Sequence, residues 1–161
     1  SAIESGKYKG DELYQSGTIT VDDYTIKDWN KYGWGKITYD VGFTYSSNTA
    51  AVRLAQQVGK KDLIDYYKKL GFGTKTGIEL SNEYDGKVDI NYNSELASAS
   101  YGQGVTVTPI QMIQALTTIT NDGTVLKPYI IEKIVDPNKN EVVYQGGRTE
   151  KEKALEIVLE F

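Results

Sequence analysis

Between Phe43 and Leu70 the chain shows two apolar periodicities of helical spacing, separated by a single glycine. Ala51, Val52, Ala55 and Val58 fall on one face of a helix, and Gly59 ends that run. Leu63, Tyr66, Tyr67 and Leu70 repeat the pattern over 60–70, closed in turn by Gly71. This spacing predicts two consecutive amphipathic helices. The first begins on three polar residues in a row, Ser46, Ser47 and Asn48. Each is a favoured N-cap, because its side-chain oxygen accepts a bond from a free N–H of the first turn. One helix needs one cap. The triplet therefore either blurs the boundary or has a second role.

The flanking segments behave differently. Residues 1–45 are rich in Gly, Tyr, Thr and Asp and show little periodicity, which predicts turns and short extended pieces such as "SGTITVDDYTI". Trp29 and Trp34 lie in "KDWNKYGWGK", too polar for an ordinary core element. Two readings are open for them: rings covering the core beneath a long loop, or an aromatic wall of a binding cleft. After Gly71 comes a long loop with turn signals. A third helix is expected from Pro109, a good first-turn residue, with Ile110, Met112, Ile113, Leu116 and Ile119 as its apolar set, ending at "NDG". "YIIEKIV" and "EVVYQ" flank "DPNKN" and predict a hairpin. "TEKEKALEIVLEF" predicts a helix over 149–161, opened by a capping box of Thr149 and Glu152. The start, "SAIESGKYKG", reads as the tail of a helix begun earlier, and the last helix carries no stop signal, so a fragment is expected.

Composition narrows the chemistry. With 161 residues, 39% hydrophobic and 25% charged, the chain reads as one ordinary globular domain. Its net charge of -4 argues against nucleic acid or an anionic membrane as a partner. It contains no cysteine and no histidine. Thiol nucleophiles and thiolate zinc sites are excluded, and a Ser-His-Asp triad cannot be completed within the chain. Serine chemistry with a lysine base remains open. Two tempting patterns fail. "GFGTKTG" follows a helix and has the wrong spacing for a dinucleotide loop. In "DPNKNE", Glu141 stands where a calcium loop requires glycine, and Gly147 where it requires the bidentate Glu. The first reads as a helix cap and turn, the second as a polar hairpin turn.

Ser46-x-Asn48 at the start of a helix, together with "SYGQGVTVTPIQMIQA" over 100–115, resembles the transpeptidase domain of class B penicillin-binding proteins. "AIESGKY", "TIKDWN", "GFTYSSNTA", "LGFGTKTGIEL" and "NDGTVLKPYII" extend that resemblance along nearly the whole chain. It implies an α/β (α+β) fold of the penicillin-binding protein and serine β-lactamase type, whose parent holds a five-stranded antiparallel sheet. Residues 1–161 would be its central, mainly helical part. The nucleophile segment would lie before Ser1 and the catalytic strand after Phe161.

Such enzymes use three motifs: Ser-x-x-Lys, Ser-x-Asn and Lys-Thr-Gly. The resemblance gives Ser46 a proton relay between the first motif's Lys and the leaving amine. It gives Asn48 the substrate backbone and that same Lys, and leaves Ser47 as the helix cap. Trp29 and Gln103 become candidates to line the cleft. Lys75-Thr76-Gly77 spells the third motif but follows the second motif's helices too closely, and reads as a surface turn. The implied function is a peptidoglycan D,D-transpeptidase acting on D-Ala-D-Ala stem peptides and inhibited by β-lactams, and no metal or cofactor is implied. The chain alone would be inactive. The implied partners are the missing segments of the domain and a membrane glycosyltransferase with the division or elongation machinery. The implied location is the outer face of the bacterial cytoplasmic membrane, reached through an N-terminal anchor helix. The alternative is a non-catalytic β-lactam sensor or scaffold sharing the fold, and a third option is a β-lactamase.

Overall fold

Local pattern and tertiary pairing both shape this chain, and a computed structural model shows where each prevails. Residues 1–156 are described. They divide into two units, Ser1–Asp65 with Val88–Val105, and Tyr66–Lys87 with the chain from Thr106 onward.

In the first unit the extended pieces form two small ladders. β1 (Leu13–Gln15) pairs with Lys36–Thr38, while β2 (Thr18–Val21) and β3 (Tyr24–Lys27) make a hairpin, Val21 opposite Tyr24. Asp22, in the two-residue turn between them, takes φ 51; Asp is one of the few residues whose short polar side chain tolerates that region. β4 (Lys36–Thr38) runs directly into a helix that the sequence did not announce, α1 (Tyr39–Thr44), capped by Thr38. α2 (Asn48–Val58) follows, with Ser47 as its N-cap and Gly59, at φ 91, beyond its end. α3 (Lys60–Lys69) is the second expected helix, with Leu63 buried.

Unit one is completed by α4 (Asn93–Ser100), which lies within what reads as loop. Its sequence, "NSELASAS", has no apolar stripe, and Ala97 and Ala99 pack by smallness. Val21, Ile26, Val52 and Ala97 form one core cluster, with Ile19 and Tyr101 against it. A second joins Tyr14, Tyr39 and Ala50, the two tyrosine rings stacked at 4.8 Å.

In the second unit α5 (Pro109–Thr120) starts as expected. Thr108 accepts from the Gln111 amide, while the Gln111 side chain accepts from the Thr108 amide at 2.8 Å. Its buried face differs from the expected one. Gln111, Gln114, Ala115 and Thr118 are inside, whereas Met112, Ile113, Leu116 and Ile119 are exposed. Gln111 is inside because its amide is needed there: Nε2 donates to the carbonyls of Thr74 (2.6 Å) and Asp85 (2.7 Å).

β5 (Thr124–Lys127) follows the Asp122-Gly123 turn. The expected hairpin is present but shorter, as β6 (Lys133–Asp136) and β7 (Glu141–Gln145). The helix expected over 149–161 is not formed where it can be judged. Thr149–Lys153 is β8, antiparallel to β5, and residues 157–161 lie outside the described set. The Thr149 hydroxyl bonds the Gly147 carbonyl instead of capping a helix. Glu, Lys and Ala favour helix only weakly, and strand pairing overrides such preferences. Among the described residues the strands pair in twos, and a five-stranded sheet is not formed.

Candidate active site

Two helices, α1 and α2, are joined by three residues, and the central one is strained. Tyr45 ends α1, Ser47 caps α2, and Ser46 between them takes φ 51. A non-glycine residue in this region costs about 1–3 kcal/mol and persists only where its surroundings enforce it. Ser46 is exposed, and its hydroxyl has no hydrogen-bond partner among the described residues. It lines a cleft of about 480 Å³ with Tyr8, Tyr39, Phe43, Leu54 and Ser100. At this cleft the Tyr8 hydroxyl donates to Asp40 at 2.6 Å. That bond, helped by burial and the nearby negative charge, pushes the Tyr8 pKa up to about 12, so the phenol is a neutral donor.

Ser47 is engaged on every side. Its amide donates to the Gly42 carbonyl at 2.9 Å. Its Oγ donates to Asp28 Oδ1 (2.9 Å) and accepts from the Tyr14 hydroxyl (2.8 Å) and the Ala50 amide (3.1 Å). Tyr14 reaches it because residue 42 is glycine; a Cβ there would collide with the phenol. Burial raises the Tyr14 pKa and keeps it in the donating form. Ser47 is therefore the cap that the sequence suggested, and the remaining two members of the triplet are left for other work.

Asn48 donates through Nδ2 to the Lys27 carbonyl at 3.0 Å. One N–H and the amide oxygen remain, a donor and an acceptor held in fixed directions. Trp29 is 69% exposed and so does not cover the core. It does not line the cleft around Ser46; its Nε1 donates to the Tyr45 carbonyl at 2.9 Å, and its ring meets Trp34 edge-on at 5.8 Å. Gln103 is exposed three residues beyond the cleft residue Ser100, with its backbone amide bonded to the Ser98 carbonyl. The structure thus gathers Ser46, Asn48 and Trp29 about one turn. Gln103 lies just past the end of α4, outside the residues that line the cleft.

Lys75-Thr76-Gly77 belongs to the other unit. Its polar groups are held by one carboxylate: the Thr76 amide (2.7 Å) and hydroxyl (2.5 Å) donate to Glu83 Oε1, and the Gly77 amide to Oε2 (3.0 Å). Burial works against the Glu83 charge, but these bonds outweigh it and hold the carboxyl below its ordinary value. Lys75 itself is exposed. Among the described residues no cluster of acidic side chains could hold a metal ion.

The residue that holds the turn was not legible beforehand. Asp28, only 1% exposed, sits beneath the turn and accepts four hydrogen bonds, from Gly17, Ser47 and, twice, Thr49. Its one signal was indirect: α2 has no acidic residue in its first turn, so the positive end of the helix must find its counter-charge elsewhere.

Comparison with known proteins identifies the family. The family model for the penicillin binding protein transpeptidase domain matches residues 1–160. Stage V sporulation protein D of Bacillus subtilis is 34% identical over 96% of the chain and 25% of its own length. The peptidoglycan D,D-transpeptidase MrdA of Escherichia coli is 30% identical over 70% of the chain and 20% of its own length. Penicillin binding protein 3 of Mycobacterium tuberculosis, solved in complex with ampicillin, superposes with a TM-score of 0.83 at 30% identity, over 96% of this chain and 34% of that one. The chain belongs to the penicillin-binding protein transpeptidase family, and it spans about a quarter of the length of these curated relatives.

Proposed function

We propose that this chain is part of a peptidoglycan D,D-transpeptidase that cross-links stem peptides by serine acyl transfer and is blocked by β-lactams. The observation that carries the reading is the Ser46 hydroxyl, without a hydrogen-bond partner among the described residues, on a strained turn at the rim of a cleft, in a chain that matches the family along its length. In this reaction a serine outside residues 1–161 attacks the carbonyl of a D-Ala-D-Ala peptide. Ser46 passes the proton from the neighbouring lysine to the leaving amine, a step for which a hydroxyl suits because it donates and accepts at once. Asn48 turns its remaining N–H and its oxygen to the substrate backbone and the lysine. An amine from a neighbouring stem peptide then takes the acyl group by the reverse route.

No Ser-x-x-Lys occurs anywhere in the chain. Residues 1–161 alone are therefore a partial domain, inert until joined to the segments that supply the first and third motifs. None of the described helices is long and apolar enough to cross a membrane. The parent protein would work on the outer face of the cytoplasmic membrane, held by an anchor helix outside this chain, beside a glycosyltransferase of the division or elongation machinery. These further assignments rest on the family's substrate class alone.

A fluorescent penicillin tests the central claim. The complete parent domain should form a stoichiometric covalent adduct on a denaturing gel, and the 161-residue chain should form none. A complete domain that takes no label would overturn the transpeptidase reading. Labelling of the short chain would mean that its nucleophile lies within it.

A further inference from the structure

Three consecutive residues at the end of β3 hold the α1–α2 turn, and they bypass one position. The Lys27 carbonyl takes the Asn48 amide, Asp28 takes Ser47 and Thr49, and the Trp29 indole donates to the Tyr45 carbonyl. Residues 45, 47, 48 and 49 are thereby fixed from one side. Ser46, at φ 51, has a side chain with no hydrogen bond among the described residues.

We infer that Asp28 is a positioning residue for the acylation step, a buried carboxylate that locks the turn so that Ser46 and Asn48 keep their reactive directions. The inference rests on the assignment of Ser46 and Asn48 made above.

Donor and acceptor counting supports it. An ionised carboxylate offers about four lone-pair sites. Asp28 receives four donors, two on each oxygen: the Ser47 hydroxyl (2.9 Å) and Thr49 amide (2.9 Å) on Oδ1, the Gly17 amide (2.7 Å) and Thr49 hydroxyl (3.0 Å) on Oδ2. Both hydroxyl protons therefore point at Asp28. The 3.2 Å approach of the Ser47 and Thr49 oxygens has no proton left to make it a hydrogen bond. With its proton on Asp28 and its lone pairs facing Tyr14 and Ala50, Ser47 has nothing to offer Ser46. The relay hydroxyl is thus protected from an internal competitor.

Helix electrostatics add a second reason. α2 has no acidic residue in its first turn. Asp28 takes the Thr49 amide and Ser47 takes the Ala50 amide, so two of the free N–H groups are satisfied and the positive end of the helix meets a negative charge. A neutral residue at position 28 would loosen the segment that forces Ser46 into its unfavourable region. The turn would then relax by the shortest route, a rotation at Ser46 itself.

The test uses the complete transpeptidase domain with the variants Asp28→Asn, Ser46→Ala and Val52→Ala. Val52 is fully buried on the same helix, in the core cluster with Val21, Ile26 and Ala97, so it serves as the control for loss of stability. Rapid-mixing kinetics with a fluorescent penicillin separate reversible binding from the covalent step, at a temperature below every variant's thermal midpoint. Asp28→Asn should slow the covalent step by about a hundred-fold, the scale of a misplaced reacting group, with reversible binding changed only a few-fold. Val52→Ala should lower the midpoint and keep the covalent step.

If Asp28→Asn loses no more rate than Val52→Ala, Asp28 is structural only and the inference fails. If Ser46→Ala keeps its rate, the assignment of the turn fails, and that result is distinct from the first. Should Asp28→Asn not fold, the pair Thr49→Val and Thr49→Ser replaces it. Loss of the hydroxyl should slow the covalent step about tenfold and serine should restore it; equal rates for the two would overturn the inference.

Discussion

Two turns in this molecule spell motifs of the same enzyme class, and each is held by a carboxylate, with opposite consequences. At Ser46-Ser47-Asn48, Asp28 binds the residues at 47 and 49 and leaves 46 free. At Lys75-Thr76-Gly77, Glu83 binds the threonine hydroxyl and the amides of Thr76 and Gly77, so the threonine hydroxyl that would meet a substrate is already engaged. The letters of a motif matter less than which of its polar atoms remain available. A carboxylate placed between motif residues builds a site, while one placed on them closes it.

Substitutions can break this contrast at several points. The largest expected effect is at Ser46. Ser46→Ala in the complete domain should slow acylation by roughly a hundred- to ten-thousand-fold, the usual worth of a positioned acid–base group. Its thermal midpoint should change little, since no buried partner is orphaned. Second-order acylation rates and melting curves on one preparation would check both halves.

Ser47→Ala should reverse the balance. It strips a cap and leaves the Tyr14 hydroxyl and the Ala50 amide without their acceptor, at a cost of about 1–3 kcal/mol of stability, with a far smaller loss of rate than at Ser46. Denaturant titration gives the first quantity directly. Equal small effects at 46 and 47, confined to stability, would reduce the triplet to helix capping.

The smallest effects belong to the other turn. Lys75→Ala should leave acylation within a few-fold, and a loss of about a hundred-fold would mean that this triplet is catalytic after all. Glu83 should show itself in how stability depends on pH. Its folded pKa lies below the ordinary 4.5, so its contribution is present above that value and is lost as pH falls through the folded pKa. Melting curves taken from neutral pH down to about pH 3 should fall more steeply for wild type than for Glu83→Gln. Parallel curves would show that the carboxylate clamp is not holding the turn.

The sequence was most readable where chemistry is local. The span of α2, its Ser47 cap and the glycine at its end all follow from neighbouring residues, and so does the Pro109 start of α5. The inner face of α5 did not follow. Periodicity says which residues share a face, not which face the rest of the chain covers, and here Gln111 is drawn inside by two loop carbonyls. β8 was hidden for a related reason: its helix-favouring residues pair with β5, and nothing in "TEKEK" encodes that partner. Asp28 was the least visible. Its donors lie 11, 19 and 21 positions away, so its importance exists only after folding. Ser46, Asn48 and Trp29 were brought to one turn, but the cleft beside it is lined by Tyr8, Phe43 and Leu54, which no motif marked.

The backward-twisted backbone at Ser46 also sets what selection on this position would reward. By conformation alone glycine is the better residue there, since it reaches φ 51 without steric cost. A search for heat-tolerant variants, blind to turnover, would therefore drift toward Ser46→Gly and gain stability by deleting the hydroxyl. If Ser46 relays the proton as proposed, stability and catalysis pull this one position in opposite directions.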